Sequence, residues 1–131
     1  LMSYQTNIIG VMLATQAIIT KASEEGLHIV NISSMGGFQG TMKFPGLAAY
    51  SSSKAALVNF TELFAEEHKD TTIKMNSLCL GAVQTEMLEQ AFPGYNAPTS
   101  ASEMANYIVD FALKGARFFN GKILPVSIST P

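Results

Sequence analysis

A tyrosine and a lysine four residues apart are the side chains in this sequence best suited to acid–base chemistry. They open and close the segment Tyr50-Ser51-Ser52-Ser53-Lys54, at the start of a predicted helix, where residues four apart share a face. A phenol has a reference pKa of about 10 and is a poor proton carrier at neutral pH. An ammonium group held nearby stabilises the phenolate and lowers that pKa. The pair predicts a tyrosine acid–base catalyst, although the same spacing also occurs in ordinary surface pairs.

Three further segments place polar residues where an α/β protein binds ligands. They are Asn7-Ile8-Ile9-Gly10, Ile29-Val30-Asn31-Ile32-Ser33-Ser34, and the stretch from Asn76 to Thr85. The second puts two hydroxyls at the carboxyl end of a predicted strand, where ligands bind in open α/β sheets. Taken alone, each segment has an ordinary structural interpretation. Asn7 is then a polar helix residue, the serines are turn residues, and Thr85 is a helix cap.

The hydrophobic pattern predicts alternating helices and strands around these segments. The predicted helices are 2–24, 48–69 and about 103–116, with a short one from Glu86 to Phe92. The predicted strands are His28 to Ile32, Ile73 to Leu80 and Lys122 to Ser127. We expect Ser102 to cap the third long helix. Pro125 restricts the last strand to a sheet edge. Strands separated by helices predict an α/β fold with a parallel sheet of three strands and three main helices.

Composition limits the possible partners. The chain has 131 residues, enough for one domain, with a net charge of −2 and one arginine, Arg117. This balance argues against a nucleic-acid-binding surface. Charged residues make up 14%, against roughly 25% in an average soluble domain, so we expect a large interface or a missing neighbour.

Cysteine and hydropathy patterns favour a cytoplasmic protein. Cys79 is the only cysteine, so an internal disulfide is impossible, and we expect it to be a buried strand residue. The first residues lack the basic region of a signal peptide, and the apolar stretch from Ile8 to Ile19 is too short to span a membrane. We expect no membrane partner and no metal site, with His28 and His68 at the surface.

In this order and spacing, the four motifs resemble the short-chain dehydrogenase/reductase family over the whole chain. The resemblance implies the carboxyl-terminal half of a doubly wound, Rossmann-type domain, with the chain as a single-domain fragment. It implies that Tyr50 is the catalytic acid–base and that Lys54 lowers the tyrosine pKa and holds the nicotinamide ribose. It also implies that Ser34 hydrogen-bonds the substrate oxygen and that the Asn7 backbone carbonyl holds a proton-relay water. It further implies that Gly81, Val83 and Thr85 contact the nicotinamide and its phosphate, with NAD or NADP as cofactor.

The sequence departs from the family pattern in three places. Leu80 stands where the family usually has proline, before Gly81. Ser34 precedes Tyr50 by sixteen residues, a few more than usual, which predicts a longer loop around 41–44 and leaves Ser33 as an alternative. No glycine-rich turn of the dinucleotide-binding kind precedes the first helix, and we interpret 36–40 as a substrate-side loop. We therefore expect the chain alone to bind cofactor weakly.

The resemblance implies NAD(P)-dependent oxidation or reduction of a small alcohol or carbonyl compound. One alternative is a nucleotide-sugar epimerase or dehydratase, which shares Tyr-x-x-x-Lys but adds a larger substrate domain. Another is a non-catalytic dimerising module. The family pairs the helices equivalent to 2–24 and 48–69 across a twofold axis, which implies a homo-dimer or homo-tetramer. Residues 87–92 are interpreted either as core filler or as a substrate lid.

Overall fold

The computed structural model describes residues 2–22, 24–35, 46 and 48–128. The helices are α1 (Met2–Tyr4), α2 (Gly10–Ile19), α3 (Ala48–Glu67), α4 (Glu86–Ala91) and α5 (Ala101–Lys114). A π-helical turn, Gln5–Ile9, joins α1 to α2, and a 3-10 turn, Gly115–Arg117, follows α5. The strands are β1 (Leu27–Ser34), β2 (Ile73–Leu80), β3 (Val83–Gln84), β4 (Thr99–Ser100) and β5 (Ile123–Val126).

Three strands form a parallel sheet in the order β1-β2-β5. β1 pairs with β2 along its whole length, from Leu27 opposite Ile73 to Ser34 opposite Leu80. β5 pairs with the second half of β2 and has no other strand beside it in the part of the chain that is described. Pro125 in β5 therefore occupies an edge strand, where its missing N–H is tolerated. The predicted α/β fold with a parallel sheet is confirmed.

Helices α3 and α5 cover opposite faces of the sheet. The Asn31 amide donates to Thr61 Oγ1 of α3 at 2.9 Å, while His28 Nδ1 bonds the Ala112 carbonyl of α5 at 2.9 Å. Residues 28 and 31 are an odd number of positions apart on one strand, so their side chains point to opposite faces. The core between these layers centres on β2, where Met75, Leu78 and Cys79 are 0% exposed. The prediction that Cys79 is buried is confirmed.

The amino-terminal helix differs from the continuous helix predicted over 2–24. The π-helical turn widens it near its start, and the regular helix ends at Ile19 rather than at residue 24. At that end Thr20 Oγ1 donates to the Ala17 carbonyl at 2.8 Å, and the Lys21 N–H donates to the Ile18 carbonyl at 2.9 Å. These bonds form a tight closing turn, so the helix stops early.

The cap of α5 is Ser100, which corrects the prediction of Ser102. The Glu103 N–H donates to Ser100 Oγ at 3.1 Å, and the Ser100 N–H donates to Glu103 Oε1 at 3.2 Å. This reciprocal capping box requires a serine three residues before a glutamate. Ser102 is adjacent to Glu103 and lacks that spacing.

Both histidines are half-buried, which corrects the prediction that they lie at the surface. His28 is held between the Ala112 carbonyl and the Asn76 amide, whose Nδ2 lies 3.0 Å from His28 Nε2. His68 stacks on Phe64 with ring centroids 4.0 Å apart. In each case neighbouring protein groups replace water around much of the imidazole.

A two-residue parallel ladder was not predicted. Val83 lies opposite Thr99, and Gln84 lies opposite Ser100. The Ala97 N–H donates to Gln84 Oε1 at 2.8 Å and strengthens the same junction. The ladder joins the two ends of segment 85–98, which contains α4.

Candidate active site

The predicted site residues gather at the carboxyl edge of the sheet. Ser34 is the last residue of β1, and Gly81 follows the last residue of β2. Because the two strands are parallel and in register, both ends lie at the same edge. Tyr50 and Lys54 lie in the first two turns of α3, which packs against both strands.

Three consecutive residues at the end of β1 bind the start of α3. Lys54 Nζ donates to the Ile32 carbonyl at 2.8 Å, and Ser33 Oγ donates to the Lys54 carbonyl at 3.1 Å. The Ser34 side chain lies near enough to the Tyr50 phenol to lower its pKa. Ser33 is thus used to hold the helix backbone, whereas Ser34 reaches the phenol. This division favours Ser34 over Ser33 as the site serine.

The electrostatics of the pair differ from the expected lowering of the tyrosine pKa. Burial raises the pKa of Tyr50 above 10.0, and the Ser34 side chain opposes that rise only in part. Burial also lowers the pKa of Lys54, against the influence of the Cys79 thiol. The Lys54 ammonium is bonded to the Ile32 carbonyl and lies 5.8 Å from the centre of the Tyr50 ring.

Asn7 is positioned by the π-helical turn and by α3. The Gly10 N–H bonds the Gln5 carbonyl five residues earlier, and a Cβ on Gly10 would lie 3.0 Å from that oxygen. Glycine therefore suits the wide turn, whose middle residue is Asn7. Asn7 Nδ2 donates to Ser53 Oγ at 3.0 Å. The structure thus brings Asn7 against the helix that carries Tyr50 and Lys54.

The three residues expected at the nicotinamide follow β2 at the same edge. The Gly81 N–H donates to the Val126 carbonyl at 3.0 Å, and Val83 belongs to the short ladder. Thr85 caps α4, since its Oγ1 accepts the Leu88 N–H at 3.2 Å. The structure gives Thr85 a capping role, and its predicted cofactor contact stays a prediction.

Comparison with known sequences decides the family. The sequence model described as short chain dehydrogenase matches residues 2–96. The chain belongs to the short-chain dehydrogenase family. A 3-oxoacyl-(acyl-carrier-protein) reductase of Rattus norvegicus is 34% identical over 82 residues, which cover 63% of this chain and 34% of that protein. The chain thus spans about a third of this relative.

Solved structures share the fold. A 4-hydroxyisoleucine dehydrogenase mutant complexed with NADH and succinate has a TM-score of 0.79 and 21% identity, over 98% of this chain and 59% of its own. A short chain dehydrogenase from Burkholderia cenocepacia J2315 in complex with NADP has a TM-score of 0.73 and 23% identity, over 92% and 52%. The chain therefore spans between half and three-fifths of these two proteins.

Sequence reasoning missed one buried residue beside the candidate site. Ser53 is 0% exposed and contacts both Asn7 and the Tyr50 carbonyl, yet nothing singled it out within the motif. A signal was present, because Ser53, Leu57 and Thr61 recur every four residues and mark the buried face of α3. Because buried polar groups are almost always hydrogen-bonded, a serine on that buried face indicates a hydroxyl with a hydrogen-bond partner inside the protein.

Some expectations fall outside the described residues. The predicted substrate-side loop over 36–40 and the longer loop around 41–44 both lie there. Among the residues that are described, no group of three or more His, Cys, Asp or Glu side chains could hold a metal ion. No helix in the same ranges has the length and apolar character needed to cross a membrane.

Proposed function

We propose that this chain supplies the catalytic residues of an NAD(P)-dependent oxidoreductase acting on an alcohol/carbonyl pair in a small molecule. The observation that carries the proposal is the contact between Tyr50 and Ser34, with Lys54 beside them at the carboxyl edge of the sheet. A phenol and a hydroxyl that lie side by side can together bind one substrate oxygen. Family membership and the 3-oxoacyl reductase relative support this chemistry.

In this proposal each side chain has a distinct task. Ser34 orients the substrate oxygen and donates to the negative charge that develops on it. Tyr50 donates a proton to that oxygen during carbonyl reduction and accepts it during alcohol oxidation. The raised pKa of Tyr50 keeps the phenol protonated at neutral pH, which suits reduction. Oxidation needs the phenolate, which the nearby Lys54 ammonium is proposed to stabilise.

The donor set fits a nicotinamide cofactor, NAD or NADP. The Lys54 ammonium and the Tyr50 phenol are only partly buried, and both can bind ribose hydroxyls. Gly81, Val83 and Thr85 follow β2 at the same edge and are proposed to hold the nicotinamide and its phosphate. When bound, the cofactor supplies or removes the hydride at the substrate carbon.

We further propose that the chain forms the carboxyl-terminal half of a larger doubly wound domain. Two observations support this: the chain spans only 34% of its rat relative, and β1 lies at an edge of the described sheet. The chain alone is then expected to bind NAD(H) or NADP(H) very weakly. Calorimetric titration of the isolated chain that gave a micromolar dissociation constant would contradict this. The buried free thiol of Cys79 is compatible with a reducing cytoplasm.

A homo-dimer or homo-tetramer is proposed on helices α2 and α3. Several large apolar side chains there are exposed, including Met12 at 47%, Leu13 at 61% and Leu63 at 55%. Leu13→Glu should dissociate a dimer built on this surface. Leu113→Glu, a matched change at a 79% exposed leucine on α5, should leave that dimer intact. Sedimentation showing the unaltered protein as a monomer at high concentration would refute the proposal.

The test of the proposed activity removes one oxygen atom. In the full-length protein that contains this chain, Tyr50→Phe should lower turnover by about 10²–10⁴-fold while cofactor affinity changes little. Activity is followed through the ultraviolet absorbance of the reduced nicotinamide. The substrates are a β-ketoacyl thioester, 4-hydroxyisoleucine and simple secondary alcohols and ketones.

A second tyrosine provides the control. Tyr107→Phe alters a 44% exposed side chain on α5, across the sheet from Tyr50, and should leave turnover unchanged. A Tyr50→Phe protein that kept most of its activity would refute the proposed catalyst. It would leave the non-catalytic dimerising module as the better interpretation of the motif.

A further inference from the structure

One buried hydroxyl joins two of the candidate catalytic residues. Ser53 lies between Tyr50 and Lys54 in the sequence and is 0% exposed. Its Oγ donates to the Tyr50 carbonyl at 2.7 Å and accepts the Asn7 amide at 3.0 Å. The same atom therefore contacts the backbone of Tyr50 on α3 and the side chain of Asn7 on the π-helical turn.

The wide turn around Asn7 has an orientation that α3 helps to fix. A π-helical turn holds one residue more than an α-helical turn, and such turns occur often at functional sites. Two bonds reach the first turns of α3 from this segment: Asn7 to Ser53, and the Tyr4 hydroxyl to Ser52. The Ser53 bond is the more buried of the two.

We propose that Ser53 is a positioning residue, which holds Asn7 in the orientation that the reaction at Tyr50 and Lys54 requires. The inference rests on the proposed function, since it assigns Ser53 a role in the same reaction. Ser53 does not touch substrate or cofactor. It acts by fixing Asn7 relative to the Tyr50 backbone, and a misplacement of about 1 Å in such a site can cost as much as 10²-fold in rate.

The same helix contains a matched bond that lies away from the site. Thr61 Oγ1 donates to the Leu57 carbonyl at 2.8 Å and accepts the Asn31 amide at 2.9 Å. Thr61 is also 0% exposed, and it lies eight residues beyond Ser53, about 12 Å along the helix. Both hydroxyls therefore bond their own helix and accept an asparagine amide. They differ in whether that asparagine belongs to the site.

This pair allows a positioning role to be separated from a structural one. In the full-length protein, Ser53→Ala and Thr61→Val each remove one buried hydroxyl, so both should lower the midpoint of urea unfolding. Ser53→Ala should also lower kcat by about 10- to 100-fold, with KM and cofactor affinity changed less than threefold. Thr61→Val should leave kcat within about twofold of the unaltered enzyme.

A double-mutant cycle tests whether Ser53 acts through Asn7. In an Asn7→Ala background the amide donor is already gone, so adding Ser53→Ala should lower kcat no further. Equal losses of kcat in Ser53→Ala and Thr61→Val, or multiplied losses in the double mutant, would overturn the inference.

The Tyr50→Phe variant separates this inference from the proposed function. If Tyr50→Phe is inactive while Ser53→Ala behaves like Thr61→Val, only the role of Ser53 is refuted. If Tyr50→Phe remains active, or if the unaltered protein turns over none of the substrates, the proposed function is refuted together with the inference.

Discussion

Replacing Asn76 by alanine should destabilise the protein by about 3 kcal/mol, since its amide joins three segments of the chain. Asn76 is 0% exposed in the central strand β2. Its Nδ2 donates to His28 Nε2 and to the Phe119 carbonyl, and its Oδ1 accepts the Lys122 N–H, each at 3.0 Å. Each bond contributes about 1 kcal/mol net, and alanine replaces none of them.

Urea unfolding of the full-length protein, followed by circular dichroism, measures this loss. With a slope of about 2 kcal/mol per molar urea, the midpoint should fall by about 1.5 M. The control is Ser77→Ala, at the next residue of β2, which is also 0% exposed. Ser77 Oγ lies beside the Cys79 thiol and makes no hydrogen bond of normal geometry, so its loss should cost less than about 0.5 kcal/mol. An Asn76→Ala midpoint no lower than that of Ser77→Ala would refute the reasoning.

Four further experiments have defined outcomes. Lys54→Ala should weaken cofactor binding and turnover together, which cofactor titrations and steady-state kinetics measure. Lys54→Met should move the activating limb of the oxidative pH–rate profile to higher pH, because the phenol then ionises less readily. Burial raises the folded pKa of Tyr50 above 10.0, so the contribution of this residue to stability is present below pH 10.0 and is lost as the pH rises through the folded value. The urea midpoint of the unaltered protein should therefore fall relative to that of Tyr50→Phe only in alkaline buffer. Gly121 has φ +71° and an added Cβ would lie 2.9 Å from Ala65 Cβ, so Gly121→Ala should lower stability by more than about 1 kcal/mol in the same urea assay.

The sheet and its two covering helices could be predicted because each depends on a local pattern. The bounds of β2 match the prediction at both ends, and Pro125 marked an edge strand through the chemistry of its backbone. The short ladder at Val83 and Gln84 could not be predicted, since two residues are too few to show a period. The π-helical turn was equally inaccessible, because widening a helix by one residue leaves its apolar pattern almost unchanged.

The proximity of the candidate site residues was more predictable than their bonding. The family resemblance predicted that Ser34, Tyr50 and Asn7 lie near one another, and the structure brings Ser34 near Tyr50 and Asn7 against the same helix. The orientation of Lys54 was not predictable, because its long side chain can reach several hydrogen-bond acceptors. In the structure it donates to the Ile32 carbonyl. Ser53 was missed because serine alone carries no signal of burial, and only its spacing from Leu57 and Thr61 indicates the buried face of α3.

The ladder between Val83–Gln84 and Thr99–Ser100 makes segment 85–98 exchangeable, because the rest of the fold does not depend on what it contains. The ladder fastens the two ends of this segment to each other, and the Ala97 N–H bonds Gln84 Oε1 beside it, so α5 starts from the same point whatever lies between Thr85 and Ala97. Doubling the length of such a closed segment costs only about 0.6 kcal/mol in closure entropy. Chimaeras that exchange 85–98 for the corresponding stretch of another family member should therefore fold, and evolution can diversify this stretch without redesigning the sheet beneath it.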